Sequence, residues 1–145
     1  MRRWLAFAVF GIVAALASVA LAQAEKDGIT VQDVWTRATP GNARTAAVYF
    51  TAINRGSESD RITSASSPAS DRAEMHTTIH DGDIMRMRRV ISVDVPAGGR
   101  AQFKPNGFHV MLTGLKGPLK AGDTVPLTLH FDRTGDMTVT VTVRK

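Results

Sequence analysis

The sequence predicts an all-β domain, a β-sandwich of short antiparallel strands, on three observations. Short runs in which apolar and polar residues alternate recur from about residue 29 to the C-terminus. No long helical pattern interrupts them. Clusters of Gly, Pro, Asn and Asp separate the runs at the spacing of strand-connecting turns.

The expected strands are Ile29–Trp35, Ala46–Ile53, Arg61–Ser66, Ala73–His80, Ile84–Val95, Gly99–Lys104, Phe108–Thr113, Val125–Phe131 and Met137–Arg144. The last alternates most cleanly, with Met137, Val139, Val141 and Val143 on one face and Thr138, Thr140 and Thr142 on the other. One face packs and one meets water. In Val125–Phe131 the apolar set is Val125, Leu127, Leu129 and Phe131, which leaves His130 on the polar side with Thr128. Turns are expected at Asn54-Arg55-Gly56, Asp81-Gly82, Pro96-Ala97-Gly98-Gly99, Lys104-Pro105-Asn106-Gly107 and Thr134-Gly135-Asp136.

The N-terminus carries Arg2 and Arg3, an apolar run from Trp4 to Leu21, and small residues through Ala24. This is the pattern of a secretory signal, with cleavage expected after Ala22 or Ala24. Residues 1–24 are read as the signal and 25–145 as one domain. The apolar run also approaches the roughly 20 residues that span a bilayer, so a retained anchor is the competing reading. Loss of Arg2 and Arg3 lowers the formal charge of +5 by two. The remaining basic residues are spread along the chain, so nucleic acid is not an expected partner. With 145 residues, 43% of them hydrophobic, packing alone must hold the domain, because cysteine is absent. That absence also excludes zinc–thiolate, iron–sulfur and blue-copper centres and any cysteine nucleophile.

Six methionines and four histidines supply what soft chemistry remains. If Asp81-Gly82 forms a tight turn, His76 faces Met87, Thr78 faces Met85 and His80 faces Asp83. Period-2 alternation then gathers His76, Thr78, His80, Met85 and Met87 on one face, and sends Met75, Ile79, Ile84 and Val90 to the core side. A second pair, His109 and Met111, shares a face two residues apart, opposite Phe108, Val110 and Leu112. Two imidazoles and two thioethers suit soft, monovalent copper; thioether sulfur is a poor ligand for zinc, calcium or magnesium. Each pair has a plainer reading, since Met commonly fills gaps in cores and His80 and His130 read as solvated side chains. Glu74, beside His76, reads as a surface charge or as a group that orients the imidazole. Arg86, Arg88 and Arg89 read as a solvated strand edge, and secondarily as a docking surface.

The spacing His76, ten residues, Met87, twenty-one residues, His109, one residue, Met111 resembles the H-x10-M-x21-H-x-M pattern of the periplasmic copper chaperones called PCuAC. Met85-Arg-Met87-Arg, Val95-Pro-Ala-Gly-Gly99, Lys104-Pro105 and Gly107-Phe-His-Val-Met-Leu-Thr-Gly-Leu115 are also similar to that family. The resemblance implies a cupredoxin-like, Greek-key β-sandwich that holds one Cu(I) on His76, Met87, His109 and Met111. It further implies supply of copper for assembly of the binuclear copper site of cytochrome c oxidase. The expected protein is a non-enzymatic, monomeric periplasmic carrier that passes copper to an oxidase subunit or a Cys-pair assembly factor. Many relatives carry a Met two residues after the first His, where this chain has Thr78, and some carry a His/Met-rich tail, whereas this chain ends Val143-Arg-Lys145. One main site is therefore expected, with His80 at most a weak Cu(II) ligand. Competing functions are copper storage or buffering, a copper redox enzyme, and an inert adhesive sandwich. Four protein ligands would leave an enzyme no open position for substrate.

Overall fold

The computed structural model describes residues 24–145; the expected signal lies outside them, apart from Ala24. The strands are β1 (Ala24–Lys26), β2 (Ile29–Arg37), β3 (Thr45–Asn54), β4 (Asp60–Ser66), β5 (Ser70–Asp81), β6 (Ile84–Arg89), β7 (Val93–Val95), β8 (Arg100–Phe103), β9 (His109–Leu115), β10 (Thr124–Phe131) and β11 (Gly135–Arg144). Hydrogen-bonded neighbours run β1-β2-β11-β10-β4-β5-β9-β3-β8, and an additional β2–β3 pairing joins the two sides. The sandwich thus closes on itself as a flattened barrel. Most neighbours are antiparallel; β11 and β2 are parallel through Thr142↔Trp35 to Arg144↔Arg37.

The closure depends on a bulge in β2. Its first residues pair with β1 on one side, and past the irregularity between Gln32 and Trp35 its end pairs with β11. Asp33 takes a left-handed conformation there, φ 54°, which bends the strand from one neighbour to the other. The Asp33 carboxylate accepts a 2.9 Å hydrogen bond from Arg144, which ties the bend to the end of β11.

The core fills the space between the two sides. Ile29, Val31, Val48, Phe50, Ile62, Val110, Leu112, Leu127, Leu129, Phe131 and Val141 are buried there, and Phe50 stacks on Phe103 with ring centroids 4.2 Å apart. The alternation expected in β10 and β11 holds: Leu127, Leu129, Phe131, Met137, Val139, Val141 and Val143 are all buried. The turn between them is fastened from below. Asp60, buried at the start of β4, accepts hydrogen bonds from the Arg133 amide (2.8 Å), the Thr134 amide (3.1 Å) and the Thr134 hydroxyl (2.6 Å).

Two elements differ from the expectation. The run Ile84–Val95 is not one strand: β6 pairs with β5, whereas β7 pairs with β4. The chain crosses between the two neighbours at residues 90–92, where the Val90 amide still bonds the Met75 carbonyl (2.9 Å) but Ile91 is 83% exposed. Apolar composition carried the expected strand across a corner that only the topology reveals. The short strand β1 was not expected, because its residues Ala-Glu-Lys have no alternation to read.

Candidate metal centre

The candidate residues lie on the outer face of the sheet formed by β6, β5, β9 and β3. Met75, Val110, Leu112, Val48 and Ala46 take the inner face of these strands and are buried. Period-2 alternation therefore turns His76, His109, Met111, Ala47 and Tyr49 outward. His76 and His109 are direct cross-strand partners, with ring centroids 5.8 Å apart. Met111 lies between Glu74 on β5 and Ala47 on β3.

The β5–β6 register differs from the expected one. Met87 pairs with Thr78, Met85 with His80, Ile84 with Asp81 and Arg89 with His76. The turn residues are Gly82 and Asp83, with Gly82 at φ 60°, so glycine occupies the first central position rather than the second. Moving a two-residue turn by one position slides every opposed pair by two. A slide of two preserves the faces. His76, Thr78, His80, Met85 and Met87 consequently still share one face, and Met87 is the diagonal neighbour of His76 rather than its direct partner. Diagonal neighbours lie roughly 7–8 Å apart, within reach of a long unbranched side chain. Ile84, expected on the core side, is 55% exposed, because β6 extends beyond the core and has no layer over its inner face.

His109 faces outward and yet is only 3% exposed. The turn Lys104–Gly107 folds over it, closed by a 3.0 Å bond from the Gly107 amide to the Lys104 carbonyl and by Asn106 at φ 67°. A cleft of about 210 Å³ opens beside the imidazole, and Met85, Met87, Thr78, Tyr49, Pro105 and Asn106 line it together with Arg37 and Arg86. Carboxylates are absent from that lining.

The hydrogen bonds of the two imidazoles are asymmetric in the same way. His109 Nδ1 lies 3.1 Å from the Gly107 carbonyl oxygen, a partner that requires this nitrogen to be the donor. His76 Nε2 lies 3.3 Å from the Glu74 carboxylate. The other nitrogens, His109 Nε2 and His76 Nδ1, are buried and have no partner. A buried polar atom left unpaired costs on the order of 1–3 kcal/mol. Two such atoms on adjacent imidazoles, each with its opposite nitrogen held, form the usual preparation of histidine for a metal.

Charge reinforces this. Burial lowers the His109 pKa below its usual 6.5, against the raising effect of the Gly107 carbonyl, so the ring favours its neutral form with a free lone pair. The hydrogen bond with His76 holds the Glu74 carboxyl below its usual range, with Arg89 and Arg72 adding to the effect. Among the described residues, no three His, Cys, Asp or Glu side chains gather as a metal site. The sulfur atoms on the same face, those of Met85, Met87 and Met111, are donors of the kind that soft ions prefer.

His80 and His130 are exposed, and His130 is occupied by Asp136. Of the cleft residues, Arg37, Ala47 and Tyr49 escape the sequence reading, and Pro105 and Asn106 are legible there as a turn but not as part of a site. Alternation along Ala46–Ile53 does put Ala47 and Tyr49 on the face opposite Val48 and Phe50, but which strand lies beside them is a matter of topology. Trp35 stands behind Tyr49, ring centroids 4.9 Å apart, with the Arg144 guanidinium 4.8 Å from the indole centroid.

Residues 29–143 match the family described as "Putative lipoprotein LpqE-like". The "Putative lipoprotein Lxx21020" of Leifsonia xyli subsp. xyli is 33% identical over 121 residues, which cover 83% of this chain and 72% of that protein. Among solved structures, the solution structure of CuI-DR1885 from Deinococcus radiodurans is 32% identical, with a TM-score of 0.64 over 91% of this chain and 86% of that one. The copper-bound PCuAC domain from PmoF2 superimposes with a TM-score of 0.73 at 21% identity, covering 84% of this chain and 97% of that domain, and so shares its fold. The chain therefore belongs to the LpqE-like family and carries the all-β fold of the PCuAC domains.

Proposed function

We propose that this protein is an exported copper(I) carrier that binds one Cu(I) through His76, Met87, His109 and Met111 and surrenders it to an acceptor protein. The observation that carries the reading is the pair of buried, unpartnered nitrogens, His76 Nδ1 and His109 Nε2, on adjacent strands of one face. Met87 and Met111 share that face, and thioether sulfur completes a neutral N2S2 donor set suited to Cu(I). The copper-bound relatives named above support the choice of ion. Export, with the periplasm as destination, is supported by the lipoprotein description of the family and by the N-terminal sequence.

Delivery follows from the donor chemistry. Neutral thioethers hold Cu(I) without the charge attraction of thiolates, so an acceptor with two cysteines takes the ion downhill. The binuclear copper site of cytochrome c oxidase, reached directly or through a Cys-pair assembly factor, is the acceptor we assign. Arg86, Arg88 and Arg89 are exposed on β6 beside the cleft and favour encounter with an acidic surface, an attraction that added salt weakens.

An anaerobic competition against a chromophoric Cu(I) chelator tests the binding set. Met87→Leu and Met111→Leu keep apolar bulk and remove sulfur. Each is expected to weaken Cu(I) binding by about tenfold or more, roughly 1.4 kcal/mol. Parental affinity in both variants contradicts the reading.

A further inference from the structure

The β5–β6 hairpin carries more soft donors than the proposed site uses. His80 and Met85 are direct cross-strand partners next to the turn, on the face that carries His76 and Met87. Both are exposed, Met85 at 56%. Burial does not account for Met85, since every residue of β6 is exposed. Nor is His80 engaged as its exposed counterpart is: His130 bonds the Asp136 carboxylate, whereas among the described residues His80 is in no ion pair. Directly opposed side chains have Cβ atoms about 4.5–5.5 Å apart, close enough for an imidazole nitrogen and a thioether sulfur to grip one ion.

We propose that His80 and Met85 form a second, weaker Cu(I) site at the hairpin tip, through which copper enters and leaves the four-ligand centre. The inference rests on the copper-carrier reading. Two protein ligands hold the ion less firmly than four that include the buried, unpartnered nitrogens of His76 and His109, which sets the order of affinities. The path between the sites is short, because Met87 follows Met85 on the same face at about 6.6–6.8 Å along the strand. Met85 also lines the cleft that reaches His109. Passage is ligand exchange in sequence: the copper–nitrogen bond to His80 breaks as a copper–sulfur bond to Met87 forms, and the bond to Met85 then breaks as those to His76 and His109 form. Copper remains Cu(I), and no proton or electron moves.

The test is an anaerobic NMR titration with Cu(I) alone, following Met ε-methyl and His ring signals. The first equivalent is expected to move Met87 and Met111. Further copper is expected to move Met85 and His80 together, with an affinity lower by about tenfold or more. Reciprocity identifies a shared ion: His80→Ala should abolish the Met85 shift, and Met85→Leu the His80 shift. His80→Ala, outside the cleft lining, should also slow release of the first copper to excess bicinchoninate by about fivefold while leaving its equilibrium affinity within about twofold. A first equivalent that leaves Met87 and Met111 unmoved overturns the four-ligand centre. Normal binding there, with His80 and Met85 shifting independently or with release unslowed, overturns the tip site alone.

Discussion

The β10–β11 and β5–β6 hairpins are built from the same parts and serve opposite ends. Both are antiparallel pairs with a positive-φ glycine at the reversal: Gly135, φ 83°, opens β11 directly after its turn, and Gly82, φ 60°, lies within the other turn. In β10–β11 one face is buried almost throughout, and the turn is clamped by the Asp60 carboxylate. In β5–β6 the second strand is exposed at every residue, and nothing lies within 4 Å of where a Gly82 side chain would begin. The first hairpin is held by the core. The second extends beyond it, and the side chains it displays there, Met85 at 56% and Met87 at 62% exposure, are ones a core would have buried. One hairpin thus anchors the fold, while the other displays soft side chains to solvent.

The largest expected effect that sharpens this contrast is on stability. Leu129→Ala, in the fully buried face of β10, should cost about 3–4 kcal/mol in urea unfolding. Met85→Ala should stay within about 0.5 kcal/mol. Equal losses would break the comparison.

Next is the clamp. Burial raises the Asp60 pKa, but the hydrogen bonds from Thr134, Arg133 and Arg61 outweigh it, and the net shift is below the usual 3.8. The unfolded chain therefore binds this proton at higher pH than the folded chain does. The resulting stabilisation is complete above 3.8 and is lost as pH falls through the lower folded value. Asp60→Asn should cost about 2 kcal/mol at neutral pH and make acid unfolding less steep below about pH 4. An acid-unfolding profile identical to the parent's would remove Asp60 from the account.

Smallest is the exposed turn. Gly82→Ala meets no atom, so its cost is conformational only, about 1 kcal/mol. Unfolding in urea measures it, and a loss as large as that of Leu129→Ala would mean that this hairpin supports the fold.

The same contrast governs what the sequence reveals. In β10 and β11 alternation fixes faces and partners, because a buried face penalises any slip. In β5 and β6 alternation fixes only the faces. No core residue of β6 distinguishes Asp81-Gly82 from Gly82-Asp83 as the turn, and the register lands two residues from the expected one. The grouping of His76, Met85 and Met87 on one face is legible because a two-residue slide preserves parity. The cross-strand meeting of His76 with His109 is not legible, since it depends on β5 and β9 being neighbours. Nor are the 3% exposure of His109 and the orphaned nitrogens, which arise from the turn at Pro105 and Asn106 and from Glu74. Spacing points to the candidate donors; topology brings them together.

The central claim is that copper binds to two imidazoles and two thioethers contributed by these neighbouring strands. X-ray absorption at the copper edge of the anaerobically loaded protein tests it most directly. The account predicts Cu(I) with two nitrogen and two sulfur neighbours, one sulfur being lost in Met87→Leu and one in Met111→Leu. A shell without sulfur, or one unchanged in both variants, would contradict it.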